Sequence, residues 1–323
     1  MTTRDAGGLP VILDVDTGID DALALCYAIG TAGIDLVAVT TVAGNVDVYQ
    51  ATTNTRNVLS FLGREDVPVH RGATRPLARP HRPATHIHGT DGLGGADLPQ
   101  STRSDDITPG PATMVRLARE RPGELTLVAV GPLTNLAIAL NVEPRITELI
   151  PRVIIMGGAY HVPGNVTPQA EFNVWEDPDA AAQVFAADFA DLTLIGLDVT
   201  MRVGLRREVW AGLGDGPTHL PAAELARRVG RWSFEDQGLR QMYLHDPLAV
   251  AVALDPALVA TEPTTIEVTT GGPEEGRTRP TGPGHARVAR AVDTGRFLAR
   301  FHEALGVQAT AGENPGHHAT RTI

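Results

Sequence analysis

The sequence predicts an α/β protein: a single domain on a mostly parallel, Rossmann-like sheet flanked by helices. Two observations predict it. Leu36–Val42, Leu125–Val130, Val153–Met156 and Leu192–Leu197 are near-continuous apolar runs, as expected of strands covered on both faces, and helical patterns lie between them. With 323 residues, 42% hydrophobic and 20% charged, the chain can also bury an extensive core.

The first strand is Val11-Ile-Leu13, rich in β-branched residues and broken by Gly18. From Asp20 the apolar spacing at Ala22, Leu23, Leu25, Cys26 and Ile29 is helical. Val48 to Leu62, Ala112 to Arg121, Leu133 to Leu140, Asp179 to Ala187 and Ala222 to Leu239 read as crossover helices. Residues 70 to 108, rich in Pro, His and Gly, are too long for a simple connection and read as a functional loop region. An apolar helix, Leu248 to Leu254, follows Tyr243-Leu-His-Asp-Pro247. The domain is expected to cover residues 1–309, with the polar segment 310–323 a disordered tail.

Composition narrows the function. A net charge of −11 disfavours nucleic acid, whose phosphate backbone needs a basic face. All 27 basic residues are Arg, so Schiff-base chemistry and a Walker-type phosphate loop, both of which use lysine, are excluded. The single Cys26 lies on the apolar stripe of the first helix, a packing position. There is no basic-plus-apolar leader and no run of about 18 apolar residues, so a cytoplasmic protein without a membrane partner is expected.

Asp14, Asp16, Asp20 and Asp21 carry the chemistry. Alternate residues share a face, so Asp14 and Asp16 leave the strand on one side and meet Asp20 and Asp21 at the start of the helix. Asp20 there could simply cap the helix. Four acids in one corner repel one another unless a cation joins them, which makes this a site for a hard cation. An EF-hand loop counted from Asp14 would need Gly and Glu where the chain has Ile19 and Leu25. Other predicted strand ends are polar too: Val42-Ala-Gly-Asn45, Val130-Gly-Pro-Leu-Thr-Asn135 and Met156-Gly-Gly-Ala-Tyr-His161. Beyond the last, Glu171 and Asn173 alternate with Phe172, which would put the two polar groups on one side. Turn chemistry explains one such ending; several together point to a polyol pocket. Asp246 could cap the last apolar helix with Pro247 in its first turn.

The chain resembles the inosine-uridine-preferring nucleoside hydrolases over about residues 10 to 306. Asp14-Val-Asp-Thr-Gly-Ile-Asp-Asp21 is similar to their aspartate fingerprint. Val42-Ala-Gly-Asn45, His86-Ile-His-Gly89, Gly131-Pro-Leu-Thr-Asn135, Met156-Gly-Gly158, Ala170-Glu-Phe-Asn173 and His245-Asp-Pro247 match later blocks in order. The resemblance implies one Ca²⁺ held by Asp16, Asp21, Asp246 and the Val130 carbonyl, with Asp14 supporting the ligands. It places Asp20, Asn45, Met156, Asn165, Glu171 and Asn173 against the ribose hydroxyls. It implies hydrolysis of purine or pyrimidine ribonucleosides to ribose and free base, with Asp16 activating the metal-bound water and His245 as the acid for the leaving group. His88, and with it His86, could contact the base from the long loop or face solvent. A homodimer or homotetramer is also implied. Thr17 departs from the Pro common in the fingerprint, and Val130 stands where some members have Thr, which is harmless for a carbonyl ligand. Residues 231 to 244 match poorly, so no base contacts carry over there.

Two other readings stay open. A haloacid-dehalogenase-type phosphohydrolase also starts with a strand and Asp-x-Asp, although Gly18 stands where its Thr or Val belongs and its usual lysine is missing. A ribose or nucleoside binder without turnover is the non-enzymatic reading.

Overall fold

Residues 7–103, 108–213 and 220–307 are described by the computed structural model. In chain order the strands are β1 (Leu9–Val15), β2 (Ile34–Thr41), β3 (Val69–Arg71), β4 (Thr126–Ala129), β5 (Arg152–Met156), β6 (Asp191–Ile195), β7 (Gly204–Arg206), β8 (Gln241–Tyr243), β9 (Val259–Val268) and β10 (Thr278–Val292). Eight of them make one sheet in the order β3-β2-β1-β4-β5-β6-β10-β9. Neighbours are parallel except β9, which pairs antiparallel with β10 at the edge. The remaining pair, β7 and β8, forms a small antiparallel ribbon.

Helices of eight or more residues are α1 (Ile19–Gly30), α2 (Val48–Phe61), α3 (Gly110–Glu120), α4 (Thr134–Val142), α5 (Pro178–Phe185), α6 (Pro221–Arg231), α7 (His245–Leu254) and α8 (Thr294–Ala304). They cover both faces of the sheet. Val11, Leu13 and Val15 of β1 pack in one core with α1, α6, α7 and α8, while Ile12 packs in the other with α3, α4 and α5. This alternation is the period-2 geometry of a strand buried on both sides. Cys26 is fully buried and free in the first core. No described helix is long and apolar enough to cross a membrane.

The topology fixes where a ligand belongs. From β1 the chain runs outward through β2 and β3, then returns to the other side of β1 and runs through β4, β5 and β6. The order therefore reverses between β1 and β4, and a crevice opens at their carboxyl ends. Asp14 lies near the end of β1, and Asp16 and Val130 directly follow β1 and β4.

The structure corrects the expected elements in several places. β3 overlaps the start of the segment read as a loop region and the helical turn Thr85–His88 lies inside it; its residues 104–107 are outside the described residues. The helix expected over Ala222–Leu239 ends at Arg231, widens into a π-helical turn at Trp232–Asp236, and gives way to β8 after Gly238, whose φ of 68° suits a residue without a Cβ. The last apolar helix begins earlier, at His245. Glu171 and Asn173 are not strand neighbours: Glu171 caps the helix Phe172–Glu176, accepting from the backbone N–H groups of Asn173 and Val174. The hairpin of β9 and β10 was not expected at all. Segment 310–323 lies outside the described residues.

Candidate active site

The turn from β1 into α1 is built around carboxylates. Asp21 accepts from the backbone N–H of Asp16 at 3.1 Å and of Gly18 at 2.8 Å, closing the turn onto the first helical residues. Asn45, just after β2, donates its backbone N–H to Asp16 Oδ2 at 2.7 Å and its side-chain amide to Asp21 Oδ2 at 3.1 Å. Gly18 must lack a side chain, because a Cβ there would stand 2.5 Å from His88 Nδ1 and 2.8 Å from the Asn45 amide. Asp14 accepts from the Thr40 hydroxyl at 2.6 Å and from the Asn135 amide at 2.7 Å.

Asp20, Asp21 and Asp246 each place a carboxylate oxygen within 4.8 Å of the other two. Asp16 is the fourth acid, fully buried beside them. No arginine pairs with any of these four among the described residues. Burial, followed by repulsion from Asp20, Asp21 and Asp16, pushes the Asp246 carboxyl well above its usual range. Burial, reinforced by Asp21, does the same to Asp16, and burial with Asp20 pushes Asp21 up to about 6. Buried oxygens of Asp14 (Oδ2), Asp16 (Oδ1) and Asp20 (Oδ1) have no hydrogen-bond partner among the described residues, and Asp20 Oδ1 lies 3.9 Å from His88 Nδ1. An unpaired buried acceptor in a nest of like charges is costly, and a hard divalent cation removes the penalty at one stroke. The residues present therefore fit a metal site. The tightest triad differs from the expected ligand set in holding Asp20 where Asp16 was placed.

The ends of β4 and β5 complete one rim. Asn173 donates its amide to the Val130 carbonyl at 2.7 Å and to the Met156 carbonyl at 3.2 Å, tying the two strand ends together. Glu171 is buried and accepts from Gly158, Asn173 and Val174 backbone N–H groups. Asn165 is exposed, and its Oδ1 accepts from the Phe172 N–H. It is therefore occupied in shaping the loop.

The three histidines differ. His245 opens α7 next to Asp246, with Nδ1 2.7 Å from the Thr200 hydroxyl and its ring 5.7 Å from that of Tyr243. Burial lowers its pKa below the usual imidazole range, opposed by the charge of Asp20. His88 is buried rather than solvent-facing, and its Nδ1 accepts from the Ile19 N–H at 3.0 Å. Burial lowers its pKa to about 4, so the ring is neutral and fixes the start of α1. His86 is exposed, and its carbonyl accepts from Gln237. Sequence reasoning gave no role to Thr40, Asn135 or Thr200. Asn135 sat in a quoted motif, while the two threonines carry no local signal.

The sequence pattern that defines the inosine-uridine preferring nucleoside hydrolases matches residues 11–299. The chain is 38% identical over 266 residues to an inosine-uridine preferring nucleoside hydrolase of Leishmania major, covering 81% of this chain and 84% of that protein. It is 38% identical over 273 residues to a pyrimidine-specific ribonucleoside hydrolase of an Enterobacter strain, covering 82% and 85%. Its fold superposes on a purine-preferring ribonucleoside hydrolase from Gardnerella vaginalis with a TM-score of 0.86 at 33% identity, covering 92% and 98%. These likenesses displace the phosphohydrolase reading. With the acidic crevice at the strand-order reversal, they show that the chain belongs to the inosine-uridine preferring nucleoside hydrolase family and is an N-ribohydrolase.

Proposed function

We propose that this enzyme cleaves the N-glycosidic bond of purine and pyrimidine ribonucleosides to ribose and free base, with Ca²⁺ as its metal. The observation that carries the reading is the nest of buried aspartates with unpartnered oxygens at the β1/β4 crevice. Asp16, Asp21, Asp246 and the Val130 carbonyl would hold the ion, whose charge, when bound, acidifies water and grips vicinal hydroxyls.

The chain's own residues supply the rest. Asp16 Oδ1, buried and without a donor, is the oxygen free to take a proton from an attacking water. Bond breaking leaves positive charge on the ribose, which the carboxylates of Asp20 and Glu171 stabilise more strongly than they do the neutral substrate. Asn45, Asn173 and the Met156 backbone line the same crevice, where they can orient the sugar, and Asn165 joins them if its loop rearranges around substrate. Asp14, held by Thr40 and Asn135, keeps the end of β1 in place. His245 donates to the departing base, and His88 supports the turn beneath it. A homodimer or homotetramer in the cytoplasm is the proposed setting, checked by light scattering and fractionation.

The test is chromatography of a nucleoside panel. Free base and ribose from uridine and inosine, with 2′-deoxyuridine slower by ~10³-fold or more, support the reading, because a missing hydroxyl leaves buried polar groups unpaired. Calorimetric binding of uridine without any product would favour the binder instead.

A further inference from the structure

A buried hydroxyl outside the acidic nest faces the His245 ring. Thr200 is fully buried at the end of the helical turn Leu197–Thr200 that follows β6, and its Oγ1 lies 2.7 Å from His245 Nδ1. Among the described residues this is the only hydrogen-bond partner of the hydroxyl. The Tyr243 ring packs beside the imidazole at a centroid distance of 5.7 Å. A neutral imidazole carries its hydrogen on one nitrogen and a lone pair on the other. With no other hydrogen-bond acceptor for the hydroxyl among the described residues, the arrangement that satisfies both groups has the Thr200 O–H donating to Nδ1 and the ring hydrogen on Nε2. The other tautomer would direct Nδ1–H at the Thr200 oxygen and strand a buried O–H, a penalty that biases the ring by roughly 10- to 100-fold.

We propose that Thr200 is a positioning residue for departure of the nucleobase: its hydroxyl holds His245 in the Nε2–H tautomer, so that the ring presents an N–H to the leaving base instead of a lone pair. The proposal rests on the reading of His245 as the donor to that base. When the C1′–N bond breaks, its electron pair moves onto the base, and a fixed N–H stabilises the charge that gathers there while a bare nitrogen repels it. Thr is suited to the task because its branched Cβ restricts the rotation that would carry the hydroxyl away.

Three variants and one spectrum test this. Thr200→Val removes the hydroxyl at nearly constant volume. It is expected to lower kcat for uridine and inosine by about 10- to 100-fold, to leave KM within about two-fold, and to spare p-nitrophenyl riboside, whose leaving group needs no donor. Turnover of that substrate also shows that the variant is folded. Thr200→Ser, which keeps the hydroxyl, should recover the uridine and inosine rates. In ¹⁵N-histidine NMR, the resonances absent from His245→Ala should report the Nε2–H tautomer in the wild type and a growing Nδ1–H population in Thr200→Val. An Nδ1–H ring in the wild type, unchanged nucleoside rates in Thr200→Val, or equal losses on both substrates in that variant would each overturn the role of Thr200. Equal losses on both substrates in His245→Ala would instead overturn the reading of His245 and the proposal with it.

Discussion

The side-chain amide of Asn173 donates to the backbone carbonyl of Val130 at 2.7 Å, the one carbonyl proposed above to hold the cation. The same amide reaches the Met156 carbonyl at 3.2 Å, so a single side chain aligns the ends of β4 and β5. Asn173→Ala removes the amide donor from both carbonyls. We expect kcat/KM for uridine to fall by about 10- to 100-fold, and calorimetry to show weaker Ca²⁺ binding. Unchanged calcium affinity would separate Asn173 from the metal site.

Asp246, proposed above as a ligand of the cation, sits where its charge is disfavoured. Burial and three neighbouring aspartates all disfavour its charge, and it does not cap α7. Asp246→Asn should therefore raise the melting temperature in chelator by a few degrees while lowering kcat by about 10²-fold or more. A lower melting temperature in chelator would contradict the electrostatic account of the nest.

The same carboxylates make stability depend on pH in an unusual direction. Burial raises Asp21 to about 6 and Asp14 to about 7, from an ordinary 3.8. A carboxyl with a raised folded pKa contributes its full stability below the ordinary value and loses it as pH climbs through the raised one. In chelator the melting temperature should therefore fall between about pH 4 and about pH 7. Calcium binds the ionised carboxylates, so the rise in melting temperature that it produces should grow over the same interval. A calcium-induced shift that shrinks with rising pH would count against this.

Much of this was legible in the sequence because the strongest signals are local. The apolar runs at Leu125 and Val153 correspond to β4 and β5, and the Asp14–Asp21 spacing anticipated the acidic corner. The β9–β10 hairpin was hidden because Pro263, Pro280 and Pro283 argue against strands. β9 is tolerated at the sheet edge, and β10 shifts register around Pro280 and Gly282. The alternation at Glu171–Asn173 misled because three residues fit a strand or the start of a helix equally well, and the three N–H groups converging on Glu171 decide it. His88 lies in a family motif and Asn165 at a position that the resemblance implies, yet the hydrogen bonds that they make are to the backbone of Ile19 and Phe172. Such partners are distant or irregular in sequence and leave no period to read.

Gly18 is a further test of how tightly the first turn is packed. Its missing Cβ leaves room for His88 and Asn45. Gly18→Ala should cost about 1–3 kcal/mol of stability and displace the Asn45 side-chain amide from Asp21, lowering kcat/KM by at least about 10-fold. A variant with wild-type kinetics would show that this turn has slack to give.

The central claim, that buried aspartates hold a calcium ion on which ribonucleoside hydrolysis depends, is tested most directly by uridine and inosine turnover after exhaustive chelation. The account predicts that ribose release disappears in metal-free enzyme and returns on titration with Ca²⁺, saturating at one ion per chain. Wild-type turnover that persists in enzyme shown by elemental analysis to be free of metal would contradict it.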